Sequence, residues 1–546
     1  MSYFFAFMLA MFTATALIVP LMRWAERFRF VDLPEARKVH QIPVPRVGGI
    51  AMVISALLAF VLFLPLNETL AAFLLAIVVL FVFGVWDDRV ELNHRLKFLG
   101  QIIAVTIVIF QGDVLIERIP FHHFEPIPYY FSVPLTYFAL LGITNAINLS
   151  DGLDGLAGGT TLMSLVVVAV LAFVANDPVL TTICVIIMGS IFGFLRYNTY
   201  PARVFMGDTG SQFLGFSAGV LVVWLTQKTN IALSPAMPLM LLGFPILDTF
   251  MVMAHRIRSG QSPFVADKNH THHKLLHLGF DHYEAVLIIY TSQALLVSGA
   301  YLMRYQLDWL IILVYGLFSA LVVVFFQITH RIGWQAHRNA EVNEPSIVTR
   351  AVRWLVHEQR LPRWSFYIIA TTIPIYLFLG ALVSESFTID IEVLALILLV
   401  VLVFVYHLQK GKPFSMLERA CTYVTCTIIV YFMQTSDVVH ADYRVLQYAY
   451  FSLLAVVVGL GMRFSKGQRF TLNTMDFLVI LLAVSVPNLH MHGMLDREVS
   501  EGMAMLIVLF YGIEIVIMKL SGKSDILRYA LYATLGFIGI KGFLII

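Results

Sequence analysis

The stretch from Asn145 to Gly159, N-A-I-N-L-S-D-G-L-D-G-L-A-G-G, concentrates side chains that could do chemistry between two apolar runs. Two asparagines and two aspartates are spaced by threes, and glycines beside the acids keep the backbone open to a ligand. Polar side chains next to hydrocarbon are costly unless they have partners or a function, so the pattern favours a catalytic loop at a membrane surface. The structural alternative is that Asp151 and Asp154 cap the following helix. In that alternative, Asn145 and Asn148 would bond a neighbouring helix.

A second acidic cluster, W-D-D-R at 86–89, ends another apolar run, and Lys97 follows in L-K-F-L-G-Q. Adjacent carboxylates could bind a cation or provide a general base, because like charges held close raise the pKa of one partner. Asp87 and Asp88 are therefore catalytic candidates. A solvated helix end with its normal charges is the structural alternative.

A third cluster, M-G-D-T-G-S at 206–211, places Asp208 at the predicted start of a helix. Free backbone N–H groups at a helix start favour a phosphate, and an acid beside them can hold the metal that bridges to it. Capping of the helix by Asp208 or Thr209 is the alternative, although capping alone would not require the flanking glycines.

The longest polar loop, 254–282, contains A-H-R-I-R and H-T-H-H-K-L. Cationic donors suit pyrophosphate oxygens, so this loop is predicted to bind substrate. The residues concerned are Arg256, His270, His272 and His273. A zinc site is the alternative for the histidines, although no cysteine or obvious fourth ligand lies nearby.

The first polar loop ends in P-E-A-R-K-V-H-Q-I-P-V-P-R-V-G-G, in which two prolines favour an extended chain. Lys38 and Arg46 could hold a lipid phosphate, or could simply anchor the chain at a membrane surface.

The elements that must position these clusters are membrane-spanning helices. The 546 residues are 59% hydrophobic and 13% charged. Apolar runs of roughly 18 to 22 residues recur, and each is long enough to cross about 30 Å of hydrocarbon. We therefore predict an all-α polytopic membrane protein of about 18 spans, among them 69–86, 129–147, 179–195, 209–226, 231–253 and 474–487. A net charge of +2 gives no indication of nucleic-acid binding, and the three cysteines match neither a disulfide framework nor a zinc motif.

The distribution of basic residues predicts the topology. The first apolar run, 3–22, is followed rather than preceded by basic residues, so the positive-inside rule puts the N-terminus outside the cytoplasm. All five polar clusters then lie on the cytoplasmic side. We predict a first membrane domain at 1–328, a polar linker at 329–364 and a further membrane domain at 365–546, with about eleven and seven spans respectively.

The side chains of the five clusters together suggest a metal and a reaction class. Carboxylate and amide oxygens with little sulfur favour Mg²⁺, with Mn²⁺ as the alternative. Mg²⁺, basic groups and a membrane surface suggest transfer of a phosphorylated group from a soluble nucleotide donor to a lipid phosphate. Positioning and charge neutralisation dominate chemistry of that kind.

These five clusters, in this order, resemble the motifs of the polyprenyl-phosphate N-acetylhexosamine-1-phosphate transferases over about residues 1–328. That family includes bacterial enzymes that start O-antigen, enterobacterial common antigen and teichoic acid linkage, and the translocase that makes lipid I. The resemblance implies Mg²⁺ dependence and UMP as the by-product. It does not extend to the C-terminal region, because the usual enzymes end soon after the eleventh span.

The resemblance also implies roles at matching positions. Asp208 and Asn148 would help to bind Mg²⁺. Asp87 would be the base on the lipid phosphate, with Asp88 beside it and Lys97 near the phosphates.

In the remaining motifs, the resemblance implies that Asp154 contacts the uracil and that the loop 270–273 closes over the sugar nucleotide. Asp151 is predicted to be catalytic, without an assigned partner, and Asn145 to contact substrate. Direct attack by the lipid phosphate is favoured over an enzyme-bound intermediate.

The motifs H-T-H-H-K-L and V-H-Q-I-P-V-P-R are closer to the N-acetylhexosamine group than to lipid I synthase. We therefore predict UDP-GlcNAc or a related UDP-HexNAc as donor and undecaprenyl phosphate as acceptor, at the inner membrane of a bacterium, initiating a surface polysaccharide such as O-antigen. Lipid I synthase is the alternative within the family. A transporter is the alternative from another class, but it would require ionisable residues near mid-span, where this sequence has almost none. A homodimer, and polysaccharide-assembly partners for the C-terminal domain, are left open.

Overall fold

The computed structural model describes residues 2–32, 43–122, 125–260, 270–336, 360–383, 389–408, 416–435, 441–464, 497–519 and 524–544. These residues form two compact units, which divide between positions 339 and 340. The predicted domain limits at 328 and 365 stay a prediction, because most of the linker lies outside the described residues.

The first unit is built almost entirely of helices. They are α1 (Ser2–Phe28), α2 (Gly48–Phe63), α3 (Glu68–Val90), α4 (His94–Phe110), α5 (Tyr129–Ser150), α6 (Leu156–Val174), α7 (Pro178–Asn198), α8 (Gly207–Trp224), α9 (Pro238–Leu241), α10 (Gly243–Arg258), α11 (Thr271–His277), α12 (His282–Leu302) and α13 (Asp308–Ile332). A π-helical turn, Leu225–Thr229, continues α8. A two-stranded antiparallel ladder joins β1 (Val31–Asp32) to β2 (Val44–Pro45).

Local sequence explains where several of these helices begin. The Asn67 side chain accepts a hydrogen bond from Leu70 N at 2.8 Å and starts α3. Asp177 caps α7 in the same way, directly before Pro178, and Asp281 and Glu284 form a capping box at α12. Such side chains satisfy backbone N–H groups that have no partner within the helix.

Nine helices within the described ranges are long and apolar enough to cross a membrane. The predicted class, an all-α membrane protein, is therefore confirmed. The count of about 18 spans and the side on which the N-terminus lies stay predictions.

Helix α8 forms the centre of the first unit. Every residue from Thr209 to Trp224 is buried, and the helix packs against α2, α3 and α5. Small residues permit this close packing, since a Cβ at Gly215 would lie only 2.8 Å from the Thr144 backbone of α5. Because α8 is buried on all sides, the residues at its ends are held in fixed positions.

The prediction of one continuous span at 231–253 is wrong. The structure has the short helix α9 and the longer α10, separated at Leu242, because Pro238 and Pro245 each favour a helix start. Polar side chains satisfy the backbone groups freed by the break. Gln293 donates to Leu241 O at 2.8 Å and accepts from Phe244 N at 3.1 Å. Broken helices at membrane depth need such partners.

The second unit is also helical in its described part. Its helices are α14 (Arg360–Val383), α15 (Ile389–Leu408), α16 (Met416–Thr435), α17 (Ala441–Phe464), α18 (Arg497–Lys519) and α19 (Ser524–Leu544). A buried ion pair joins two of them, with Arg528 Nε donating to Glu418 Oε1 at 2.5 Å. The predicted apolar run at 474–487 lies outside the described residues.

Candidate active site

The end of α3 meets the start of α8 through Asp88. Its carboxylate accepts hydrogen bonds from Asp208 N (2.7 Å), Thr209 N (3.0 Å) and Thr209 Oγ1 (2.6 Å). A carboxylate at this position satisfies backbone donors at the helix start and complements the helix dipole. Asp88, predicted to be catalytic, is thus buried and bonded to protein groups, and its position makes it a residue that fixes α8.

Glycines make this contact possible. Gly207 has a φ of +65°, and a Cβ there would lie 2.4 Å from Asp88 Oδ1. A Cβ at Gly84 of α3 would lie 2.6 Å from Thr209 Cα, and one at Gly49 of α2 would lie 2.2 Å from Gly210 N. Gly49, Gly84 and Gly207 therefore allow two helices, α2 and α3, to approach the start of α8 closely.

Asp87 points to a different set of partners. Lys97 Nζ of α4 lies 2.6 Å from Asp87 Oδ2 and 3.0 Å from Asp208 Oδ2, while Asp87 Oδ1 accepts from Leu92 N at 2.7 Å. The side chains of Asp87 and Asn148 also lie next to the Asp208 carboxylate. Asp87, Lys97, Asn148 and Asp208 came from three separate motifs of the sequence, and the structure brings them together. We call these four residues the acid–lysine cluster.

The two asparagines of the opening motif have different surroundings. Asn148 Oδ1 accepts from Ser211 Oγ at 2.9 Å, beside the acid–lysine cluster. Asn145, predicted to contact substrate, donates to Gln101 Oε1 at 2.9 Å and to Leu141 O at 2.7 Å. Gln101 in turn lies 3.4 Å from Gln212 Oε1. Asn145 thus takes part in a network of amides that joins α4, α5 and α8.

The loop between α5 and α6 is fixed from two sides. Asn198 Oδ1, at the end of α7, accepts from Gly155 N at 2.9 Å, and its Nδ2 donates to Val204 O at 2.8 Å. Tyr290 OH of α12 donates to Gly155 O at 2.7 Å. Sequence reasoning did not select Asn198 or Tyr290, because both act on a segment distant in the chain.

The two acids of this loop differ in their environment. Asp154 Oδ2 accepts from Ala202 N at 2.8 Å, which ties the loop to the segment after α7. Burial raises the pKa of Asp151 to about 7, and the negative charges of Asp208, Asp154 and Asp88 act in the same direction. The sequence prediction gave Asp151 no partner, and its neighbours prove to be mainly other acids.

The histidine motif is largely buried against this loop. His270 Nδ1 lies 2.7 Å from Asp248 Oδ2, and Thr271 N donates to Asp248 Oδ1 at 2.6 Å. The His272 ring packs against Gly152, where a Cβ would lie 2.1 Å from Nε2. Burial and the neighbouring His273 lower the pKa of His272 to about 3, so its imidazole is neutral at physiological pH.

Asp248 is a residue that the sequence analysis missed. A lone acid in an apolar run was the available signal. The structure shows that Asp248 fixes the histidine motif. The zinc alternative for these histidines gains no support, since within the described ranges no three His, Cys, Asp or Glu side chains are arranged to hold a metal ion.

The remaining predicted substrate contacts are basic. Arg46 forms an ion pair with Asp32 next to the β1–β2 ladder, and its guanidinium charge acts on Asp151. Arg256 is buried within α10, so it belongs to a helix and not to the predicted loop. Lys38 lies outside the described residues.

The acid–lysine cluster meets the requirements of a magnesium site. Mg²⁺ is usually held by one or two carboxylates plus substrate phosphates and water, and seldom by a complete set of protein ligands. Asp208 supplies a carboxylate that, together with Asp87, already binds a cation, the Lys97 ammonium. The Asn148 side chain lies beside Asp208 and carries a neutral amide oxygen, which accepts from Ser211 Oγ at 2.9 Å. These hard oxygen donors fit Mg²⁺.

Comparison with known proteins gives a consistent result. Residues 70–226 match the model of a family described as glycosyl transferase family 4. The probable undecaprenyl-phosphate N-acetylglucosaminyl 1-phosphate transferase of Bacillus subtilis is 34% identical over 325 residues, which are 59% of this chain and 89% of that relative. The decaprenyl-phosphate N-acetylglucosaminephosphotransferase of Mycobacterium leprae is 34% identical over 307 residues, 50% of this chain and 77% of the relative. The undecaprenyl-phosphate alpha-N-acetylglucosaminyl 1-phosphate transferase of Escherichia coli K12 is 28% identical over 288 residues, 52% and 78% of the two chains.

Proposed function

The chain belongs to glycosyl transferase family 4, and from this premise we propose that it transfers GlcNAc-1-phosphate, or a closely related HexNAc-1-phosphate, from a UDP-sugar to undecaprenyl phosphate. The products are a lipid-diphosphate-sugar and UMP. The observation that carries the proposal is the acid–lysine cluster, in which two carboxylates, an ammonium and an amide meet where α3, α4, α5 and α8 come together.

The reaction exchanges one phosphoanhydride bond for another. An oxygen of the lipid phosphate attacks the phosphorus that bears the sugar, and the bond from that phosphorus to the UMP oxygen breaks. UMP leaves with the electron pair of that bond. This direct route needs no covalent enzyme intermediate, and it depends on positioning and charge neutralisation, which the cluster is suited to provide.

Each residue of the cluster then has a proposed role. Asp208 and Asn148 would hold Mg²⁺, which would supply neutralisation of charge on the phosphates. Asp87 receives the proton of the lipid phosphate, and Lys97 binds phosphate oxygens. Asp88 holds the start of α8 so that Asp208 keeps its place.

The loops around the cluster would bind the sugar nucleotide. Asp154 faces the uracil, and the histidine motif, fixed by Asp248, closes over the donor. Neutral His272 donates or accepts a hydrogen bond without adding charge.

Cellular placement follows from the same proposal. The N-terminus lies outside, the cluster faces the cytoplasm of a bacterium where UDP-sugars are made, and the product starts a surface polysaccharide. The relatives named above come from bacteria, and their names mention N-acetylglucosamine and a prenyl phosphate, which favours this donor over the pentapeptide-bearing donor of lipid I synthase.

The test is a UMP-release assay. Purified protein with Mg²⁺ and undecaprenyl phosphate is offered UDP-GlcNAc, UDP-GalNAc and UDP-MurNAc-pentapeptide in parallel. We expect release with a UDP-HexNAc, loss of more than about 100-fold for Asp208→Asn, and no change for Asp113→Asn, an exposed carboxylate elsewhere. Absence of UMP with every donor would overturn the enzymatic proposal, and release only with the pentapeptide donor would move it to lipid I synthesis.

A further inference from the structure

A cavity of about 930 Å³ lies between α10, α11 and α13. Its apolar wall is formed by Leu247, Phe250, Met251, Val323 and Phe326, and its basic rim by His255, Arg258, Lys274, His277, His330 and Arg331. Among the described residues that line this cavity, none is acidic. A cavity lined by apolar and basic side chains matches a molecule that has an anionic head and hydrocarbon chains.

Helix α11 separates this cavity from the active site. His270 and His272 face Asp248 and Gly152, whereas Lys274 and His277, on the same short helix, line the cavity. No member of the acid–lysine cluster lines it. The residues proposed to act on the reacting lipid are therefore not the residues that line this cavity.

One contact marks the boundary between wall and rim. Lys274 Nζ lies 5.6 Å from the centre of the Phe326 ring, which is a cation–π distance. The ammonium is thereby held against the apolar wall of the cavity. Basic pockets between membrane helices commonly bind anionic lipid head groups.

We propose that this cavity binds an anionic bilayer phospholipid, with its phosphodiester on the rim formed by Arg258, Lys274 and Arg331 and its acyl chains along Phe250, Met251 and Val323. This would be a structural or regulatory lipid and not a substrate. The proposal does not depend on the transfer reaction, because binding alone tests it.

The test measures lipid binding to the full-length protein by native mass spectrometry from detergent. Phosphatidylglycerol is the probe, phosphatidylcholine is the neutral lipid with the same chains, and undecaprenyl phosphate is the competitor. The variant Arg258→Gln/Arg331→Gln removes one charge of the rim from α10 and one from α13. The matched control Arg23→Gln/Arg27→Gln removes two exposed charges from α1. Met251→Trp puts a larger side chain into the apolar part of the cavity and leaves every basic residue of the rim in place.

We expect the wild type to prefer phosphatidylglycerol over phosphatidylcholine. The Arg258/Arg331 variant should bind phosphatidylglycerol about 30-fold more weakly, from the usual contribution of two basic residues near lipid phosphates. Met251→Trp should also weaken binding, and the Arg23/Arg27 control should not. Equal binding of the two phospholipids, or equal loss in the control, would overturn the proposal. Displacement of phosphatidylglycerol by equimolar undecaprenyl phosphate would assign the cavity to the reacting lipid, and would also overturn it.

Discussion

Asp151 is an acid whose neighbours are mainly other acids, and the sequence alone predicted it to be catalytic without assigning it a partner. Burial and the charges of Asp208, Asp154 and Asp88 raise its pKa to about 7 from 3.8, so the fold favours its neutral form. Its contribution to stability is therefore complete below about pH 4 and is lost as the pH rises through 7. Holding several carboxylates close together to bind a cation therefore lowers the free energy of unfolding of the protein at neutral pH.

The variant Asp151→Asn tests this conflict. Asparagine keeps the shape of the neutral acid, so without divalent cations the melting temperature of the variant should exceed that of the wild type at pH 7.5. The gain in unfolding free energy is at most about 4 kcal/mol, because one pKa unit corresponds to about 1.4 kcal/mol. The gain should shrink at pH 4.5, and UMP release should fall. Scanning fluorimetry at both pH values measures it, and a gain independent of pH would contradict the electrostatic account.

At the residue scale, the sequence predicted the acidic clusters but not the division of labour within them. Asp87 and Asp88 are neighbours with identical side chains, and only the structure shows that one faces Lys97 while the other caps α8. The partner of each aspartate depends on how α3 is rotated about its axis relative to α8, which begins over 100 residues later in the chain. Asp248 was missed for the same reason, since its partners His270 and Thr271 are not predictable from the run that contains it.

At the scale of elements, the contact of α3 with the start of α8 governs the site. Gly84→Ala would place a methyl group 2.6 Å from Thr209 Cα, so one of the two backbones must move. Overpacking of this kind typically costs about 1–3 kcal/mol. Because the movement also disturbs the hydrogen bonds of Asp88, UMP release should fall by more than the loss of stability alone explains.

The control variant is Gly142→Ala, on α5. A Cβ at Gly142 of α5 has no heavy atom within 4 Å, so Gly142→Ala should leave both melting temperature and UMP release unchanged. If Gly84→Ala behaves as Gly142→Ala does, the close contact of α3 and α8 is not required for activity.

The sequence predicted the helices that depend on local patterns, and it did not predict the helix break that depends on side chains of other helices. The observed α3, α5, α7 and α8 lie where the apolar runs of the sequence indicated them. The break between α9 and α10 was not predicted, because the apolar run continues through it. The helix can end there because Gln293 and Ser164, from other helices, bind the exposed carbonyl of Leu241. Hydropathy contains no information about such partners.

At the scale of the whole molecule, every described residue of the proposed active site belongs to the first unit. Its relative from Bacillus subtilis is matched over 89% of its length by 325 residues, only 59% of this chain. A family member thus needs little more than the matched length, which argues that the second unit adds a function and does not complete the site. A compact unit with its own core can in principle fold alone.

The decisive experiment ends the chain after Asn339. We expect the shortened protein to insert, to elute as a single species in detergent, and to release UMP at a rate within roughly a factor of three of the full chain, as for an independent domain. The same truncation carrying Asp208→Asn is the control for background release. A shortened protein that keeps a cooperative melting transition but releases no UMP would show that the second unit contributes to catalysis. That result would require residues beyond 339 to act on the acid–lysine cluster or on the substrates that reach it.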